Sequence, residues 1–196
     1  MPSPTNPPAD LLRSLSDVLQ RLHIDWYVFG AQAVLLWGRP RFTADIDVTA
    51  RIAPDALQPF VSAMEEAGFA LRVPSNDKFV EHTRVLPFVH TPTAWPVDVV
   101  LAGPGLEETF LAQAIDVDLG HGLHVPVIRA EDLIVTKILA ARPKDLEDVR
   151  GVLLEQATSL DLASIRAVLG QLEDALGVSD LLPVFEAEVS RARLRR

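Results

Sequence analysis

An α+β fold is predicted by three observations: a strand–glycine–helix unit at residues 24–38, a series of short apolar or alternating strands between residues 44 and 128, and helical periodicity beyond Arg129. Residues 1–8, MPSPTNPP, read as a disordered lead-in because they offer prolines and no apolar pattern. Over residues 9–22, Leu11, Leu12, Leu15, Val18, Leu19 and Leu22 recur at helical spacing, the mark of an amphipathic helix with one buried face. IDWYVF is a buried strand ended by Gly30, and AQAVLLW continues as a helix up to Gly38. GRPRFT is a loop, and ADIDVTA alternates polar and apolar residues as a strand does. Residues 54–67 place Ala56, Leu57, Phe60, Val61 and Met64 on one helical face. FALRV, TRVLPFVH and PVDVVLA supply further strands of a mixed sheet, and Pro87 predicts an edge or a bulge in the second of them. A short helix at 106–114 is followed by a hairpin around the glycine turn of residues 115–128. Four helices, over 130–141, 143–155, 161–175 and 180–193, complete the chain. The expected organisation is a lead-in at 1–8, an α/β core at 9–129 and a C-terminal helical region at 130–196 packed on that core.

Composition narrows the function classes. With 196 residues, 48% hydrophobic, the chain is long enough for a substantial core. Its net charge of −9 is too acidic for coating nucleic acid by charge alone, so such contact must be local. The absence of cysteine excludes disulfides, thiolate zinc sites and thiol nucleophiles. The longest apolar run, Trp26 to Gly38, falls short of the ~20 residues that span a bilayer, and no signal peptide is recognisable. The expected location is cytoplasmic, with no membrane partner. His121 and His124 lack further zinc ligands, GPGLEE lacks the third glycine of a dinucleotide fingerprint, and no P-loop or nucleophile elbow occurs.

The features that carry chemistry are acidic. In Asp45-Ile46-Asp47 the period of two of a strand throws both carboxylates onto one face, about 7 Å apart, with Ile46 and Val48 turned to the core. Carboxylates on a rigid strand repel unless a cation lies between them, and hard divalent cations take carboxylate oxygens. Asp98 lies among Val97, Val99 and Val100, where an unpaired charge is costly. If its strand neighbours the first, Asp45, Asp47 and Asp98 converge on a metal site suited to phosphoryl or nucleotidyl transfer. Gly30 and Ala31, between a strand and a helix, offer an anion close backbone approach and free N–H groups. Lys137 falls among Leu133, Ile134 and Ala141 on an apolar helix face, so it either snorkels to water or meets an anion. Asp145 shares a face with Val149 and Val152; it either orients Lys137 or Arg142, or starts its helix as a dipole-favoured charge. Arg41 is a candidate phosphate contact or a solvated loop arginine.

Together, VFGAQAVLLWGRPRFTADIDV, the lone carboxylate in VDVVL, and EDLIVTKILAARPKDLEDV resemble the polymerase-beta-like minimal nucleotidyltransferases, in particular the AbiEii-type toxins of abortive-infection and toxin–antitoxin systems. The similarity spans roughly residues 24–155. It implies a polymerase-beta-like fold in which Asp45, Asp47 and Asp98 hold Mg²⁺, with Mn²⁺ as the alternative ion. Asp98 would accept the proton of the attacking hydroxyl, and Lys137 would neutralise the triphosphate. Gly30, Ala31, Gln32, Arg41, Thr43, Arg142, Lys144 and Asp145 are the implied nucleotide-binding residues, with Asp148 close behind. Ala31 departs from the usual Gly or Ser, so a hydroxyl contact to phosphate must be replaced by backbone or by Gln32.

The implied activity is transfer of a nucleotide from an NTP to an acceptor hydroxyl, an RNA or tRNA 3′ end, with an antitoxin on a separate chain. Arg142, Lys144, Arg150 and the terminal arginines would provide a local basic track. The alternatives are a catalytically silent nucleotide- or partner-binding module of the same fold and an antibiotic nucleotidyltransferase.

Overall fold

The computed structural model describes residues 7–193, which divide into two compact units. The first comprises the chain up to Ala31 together with Thr43–Ile128, and the second comprises Gln32–Phe42 together with the residues from Arg129 on. Residues 1–6 of the expected lead-in, and Leu194, Arg195 and Arg196 of the basic terminus, lie outside the described residues.

In the first unit, helix α1 (Pro7–Arg21) begins two residues earlier than its apolar periodicity predicts, since proline is well accommodated in a first helical turn. Leu11, Leu15 and Leu19 on its inner face are fully buried. Seven strands form one mixed sheet: β1 (Trp26–Phe29), β2 (Ile46–Ala50), β3 (Phe69–Leu71), β4 (Val85–His90), β5 (Trp95–Leu101), β6 (Ile115–Asp118) and β7 (His124–Val127). Their order is β3-β4-β5-β2-β1-β7-β6. β2 runs parallel to β5 and antiparallel to β1, and the parallel pair positions the chemistry described below. Helix α2 (Gly30–Trp37) follows β1 directly, and the boundary between the units falls within it, after Ala31. A 3₁₀ turn at Pro54–Ala56 leads into α3 (Leu57–Glu66), whose Phe60 packs edge-on against Phe88 with ring centroids 6.1 Å apart.

Three expectations for this unit are corrected. FALRV is a strand only to Leu71, and Arg72 and Val73 leave the sheet. Helix α4 (Lys78–Thr83), capped by Asp77, precedes β4, and Arg84 in the left-handed region at φ 57° ends it, so the strand begins at Val85 rather than Thr83. Pro87 marks neither an edge nor a bulge. β4 is paired on both sides, and Pro87 lies just past the β3 ladder, where its carbonyl accepts from the Arg72 N–H at 2.8 Å and no N–H is required in return. Helix α5 (Leu106–Gln113) follows β5, and β6 and β7 form the expected hairpin.

The second unit contains Gln32–Trp37 of α2 and four helices: α6 (Ala130–Ala140), α7 (Pro143–Glu155), α8 (Leu162–Leu176) and α9 (Leu181–Arg193). Residues 32–42 are grouped here, not with the 9–129 stretch to which the sequence assigns them. Glycine stands at both close contact points within this unit. A Cβ on Gly38 would stand 3.1 Å from the Val152 backbone nitrogen, and one on Gly151 would stand 3.2 Å from that of Arg39. The Gln156 side chain also donates to the Trp37 carbonyl at 3.1 Å. Such contacts across more than a hundred residues leave no periodic trace in the sequence. No helix among the described residues is long and apolar enough to cross a membrane.

Candidate functional site

The first unit builds an acidic edge on β2 and β5. Ile46 and Val48 are fully buried, so the intervening Asp47 points to the opposite, half-exposed face. In the parallel register Asp47 pairs with Asp98, and Val97 and Val99 on either side of Asp98 are fully buried. Neighbouring strands lie about 4.8 Å apart, so the two side chains share one face at close range. Asp47 is also the register partner of Phe29, the last residue of β1. Gly30 follows with φ +62°, and a Cβ at that position would stand 2.0 Å from Asp47 Oδ2. Only glycine both adopts this backbone conformation and leaves the Asp47 carboxylate its space.

Asp45 precedes the strand by one residue and is exposed, and its Oδ1 accepts a 2.5 Å hydrogen bond from Thr43 Oγ1. Asp98 Oδ1 accepts a 2.6 Å bond from Arg72 Nη2, just outside β3. The expected convergence of three carboxylates on one point is therefore not what this conformation shows. Among the described residues no three His, Cys, Asp or Glu side chains are gathered closely enough to hold a metal ion. Asp47 and Asp98 are neighbours by register, while Asp45 is engaged by Thr43 and Asp98 by Arg72. Arg72 carried no signal in the sequence, being one arginine at the end of an apolar run.

The second unit builds a charge network on α6, α7 and the 39–42 segment. Lys137 Nζ donates to Asp145 Oδ1 at 3.0 Å and to Asp148 Oδ2 at 2.9 Å. Its side chain is 8% exposed and those of the two aspartates 0% and 4%, so the lysine does not snorkel to water; the anions that meet it are these carboxylates. Arg41 forms a bidentate pair with Asp148 at 2.8 and 3.0 Å, and Arg142 donates to both Asp145 oxygens. The alternative roles of Asp145 thus resolve into a bond to Lys137 and Arg142 together. Burial pushes the Asp145 and Asp148 carboxyls up, but bonds from Arg142 and Lys137, and from Arg41 and Lys137, outweigh it and hold both below the usual carboxylate range. Lys144 is exposed at the start of α7, Ala31 is buried and Gln32 is half-buried. Of the expected basic track, Arg150 and Arg191 are both ion-paired with the buried Glu188.

On α6, Asp132 is also buried, and one of its carboxylate oxygens has no hydrogen-bond partner among the described residues. Burial, with only partial compensation from Arg129, pushes its carboxyl up to about 6.

A family model described as "Nucleotidyltransferase of unknown function (DUF6036)" matches residues 9–181. No curated protein matches the chain in sequence. Among solved structures, ANT(2'')-Ia in complex with adenylyl-2''-tobramycin is similar at 15% identity and a TM-score of 0.58, over 86% of this chain and 98% of that one. The solution structure of the same antibiotic-resistance factor gives 0.56, also at 15% identity, over 87% and 95%. An antigenic nucleotidyltransferase-like protein from Paracoccidioides brasiliensis gives 0.50 at 17% identity, over 91% and 92%. At these identities the likeness shows a shared nucleotidyltransferase fold.

Proposed function

Because the chain belongs to the DUF6036 family of nucleotidyltransferases of unknown function, we propose that it transfers a nucleoside monophosphate from an NTP to an acceptor hydroxyl, with release of pyrophosphate. The observation that carries this reading is the Asp47–Asp98 register pair beside the bare Cα of Gly30. Asp47 and Asp98 on one sheet face, with Asp45 one residue before β2, are the hard oxygen donors that would hold Mg²⁺ or Mn²⁺, once Asp98 is released from Arg72 and Asp45 from Thr43. Such an ion supplies charge neutralisation for the phosphates and the leaving group.

The chain's own residues do the rest. Asp98 accepts the proton of the acceptor hydroxyl, the acceptor oxygen bonds to the α-phosphorus, and the bond from that phosphorus to pyrophosphate breaks. Before the ion binds, Thr43 orients Asp45 through their hydrogen bond. Backbone N–H groups at Gly30, Ala31 and Gln32 receive phosphate oxygens at the start of α2. Within the helical unit, Asp148 and Asp145 hold Arg41 and Arg142 in place with Lys137 between the two carboxylates, and these arginines and Lys144 are that unit's own candidate phosphate contacts. Catalysis is then chiefly positioning and charge stabilisation.

The resemblance to AbiEii-type toxins extends the proposal to an RNA or tRNA 3′ end as acceptor, action in the cytoplasm and restraint by an antitoxin. The rival reading is a silent nucleotide-binding module, favoured by the Arg72 bond to Asp98 and by the missing hydroxyl at Ala31. The test is incubation of the full chain with Mg²⁺ and each labelled NTP, following pyrophosphate release and label in RNA, protein and small-molecule acceptors. Label in any acceptor with stoichiometric pyrophosphate supports transfer; nucleotide binding with no label in any acceptor supports the silent module.

A further inference from the structure

Arg72 has two roles in the first unit. Its guanidinium holds Asp98, and it forms part of the wall of an open groove of about 560 Å³. One side of the groove is a face of α3, where Gln58, Val61 and Glu65 follow at spacings of three and four. The opposite side is the segment after β3, ending at Ser75 and Asn76. The volume lies in the range of small-molecule sites, roughly 300–1,000 Å³. The walls combine apolar surface from Val61, Leu71 and Val73 with polar groups. Among the described residues the side chains of Gln58, Glu65, Ser75 and Asn76 make no hydrogen bond or ion pair with the protein.

Charge selects the class of ligand. Among the described residues that line the groove the only cation, Arg72, is neutralised by Asp98, and Glu65 leaves the lining net negative. A phosphate backbone would meet no uncommitted positive charge there. A neutral or cationic molecule rich in hydroxyl groups would find an amide, a hydroxyl and a carboxylate to bond.

We propose that this groove is the acceptor subsite and that the acceptor is a small, neutral or cationic, hydroxyl-bearing molecule. The proposal rests on the nucleotidyl-transfer reading above and puts a small molecule in place of the RNA or tRNA end that the resemblance alone suggests. A hydroxyl of the bound molecule presented past Arg72 gives its proton to Asp98. Its oxygen then bonds to the α-phosphorus as pyrophosphate leaves.

The experiment uses the full chain, Mg²⁺ and labelled NTPs with three acceptor preparations: tobramycin as a defined polyhydroxylated polyamine, a macromolecule-free filtrate of cell extract, and total RNA. Glu65→Arg reverses the groove's charge, Asn76→Trp fills it, and Glu65→Gln is the mild control; both positions are exposed, and melting curves verify folding. Label is expected in tobramycin or in a filtrate compound. Glu65→Arg and Asn76→Trp should raise the acceptor KM about tenfold and Glu65→Gln less, with Mg²⁺-dependent nucleotide binding intact by calorimetry. Label confined to RNA would overturn the proposed acceptor class and leave nucleotidyl transfer standing. Label in a small molecule with an acceptor KM indifferent to all three variants would overturn the groove. No label anywhere, with nucleotide bound, would overturn the transfer reading itself, and this inference with it.

Discussion

The carboxylate of Asp47 occupies the space that a side chain on residue 30 would need: a Cβ on Gly30 would stand 2.0 Å from Asp47 Oδ2 and 2.9 Å from Asp47 Cβ. This contact links the turn between β1 and α2 to the acidic face of β2. It makes the glycine a requirement of the site as well as of the turn.

Gly30→Ala is accordingly expected to cost about 1–2 kcal/mol for the left-handed backbone alone, and more from the displaced carboxylate. Asp47→Ala in the same chain should recover only part of the loss, because the Cβ of residue 47 remains in the way. Denaturant melts of the two single variants and the double variant measure the coupling; full additivity would show that the two positions do not interact.

Lys137→Met removes one charge from between two buried carboxylates. A loss of about 3 kcal/mol or more is expected, since stranding a buried ion costs far more than an exposed pair is worth. The pH dependence has a definite sign. Asp145 and Asp148 both titrate below their ordinary range when folded, so their stabilisation is present above the unfolded carboxylate pKa and is lost as pH falls through the folded values. Melting temperature should therefore drop on acidification below about pH 4, and less steeply in Lys137→Met. A variant as stable as the unsubstituted protein would contradict the network.

Much of this network was legible in the sequence and part was not. The helical angle that sets Lys137 among Leu133 and Ile134 already left it a choice between water and an anion, and the alternation of Asp45-Ile46-Asp47 already fixed which side chains turn from the core. What supplies the anion was ambiguous, because Asp148 and its partner Arg41 lie 107 residues apart. Arg72 gave no sign of its role, since the residues between it and Asp98 form a helix and a strand whose return to the same place is a property of the sheet order. Residues 32–42 meet the helical unit closely at Gly38 and Gly151, where no side chain intervenes, and no hydrophobic pattern records such contacts.

Asp132 should behave in the opposite sense to Asp145. Its folded pKa, raised to about 6, means that the charged carboxylate opposes folding above that pH, and the opposition fades as pH falls from 6 toward 4. Asp132→Asn should raise stability at pH 8 by about 1–3 kcal/mol and flatten the profile over that window. Equal melting temperatures at pH 8 would show that the carboxylate is satisfied.

The central claim is that the acidic face of β2 and β5 binds a nucleotide through a divalent cation. Calorimetric titration of each NTP, with Mg²⁺ and with EDTA, into the unsubstituted protein and Asp47→Asn tests it most directly. The account predicts Mg²⁺-dependent binding that Asp47→Asn loses while its melting temperature stays equal or rises slightly, because one of two carboxylates paired by register has been neutralised. Binding of equal strength with and without metal in both proteins would contradict it.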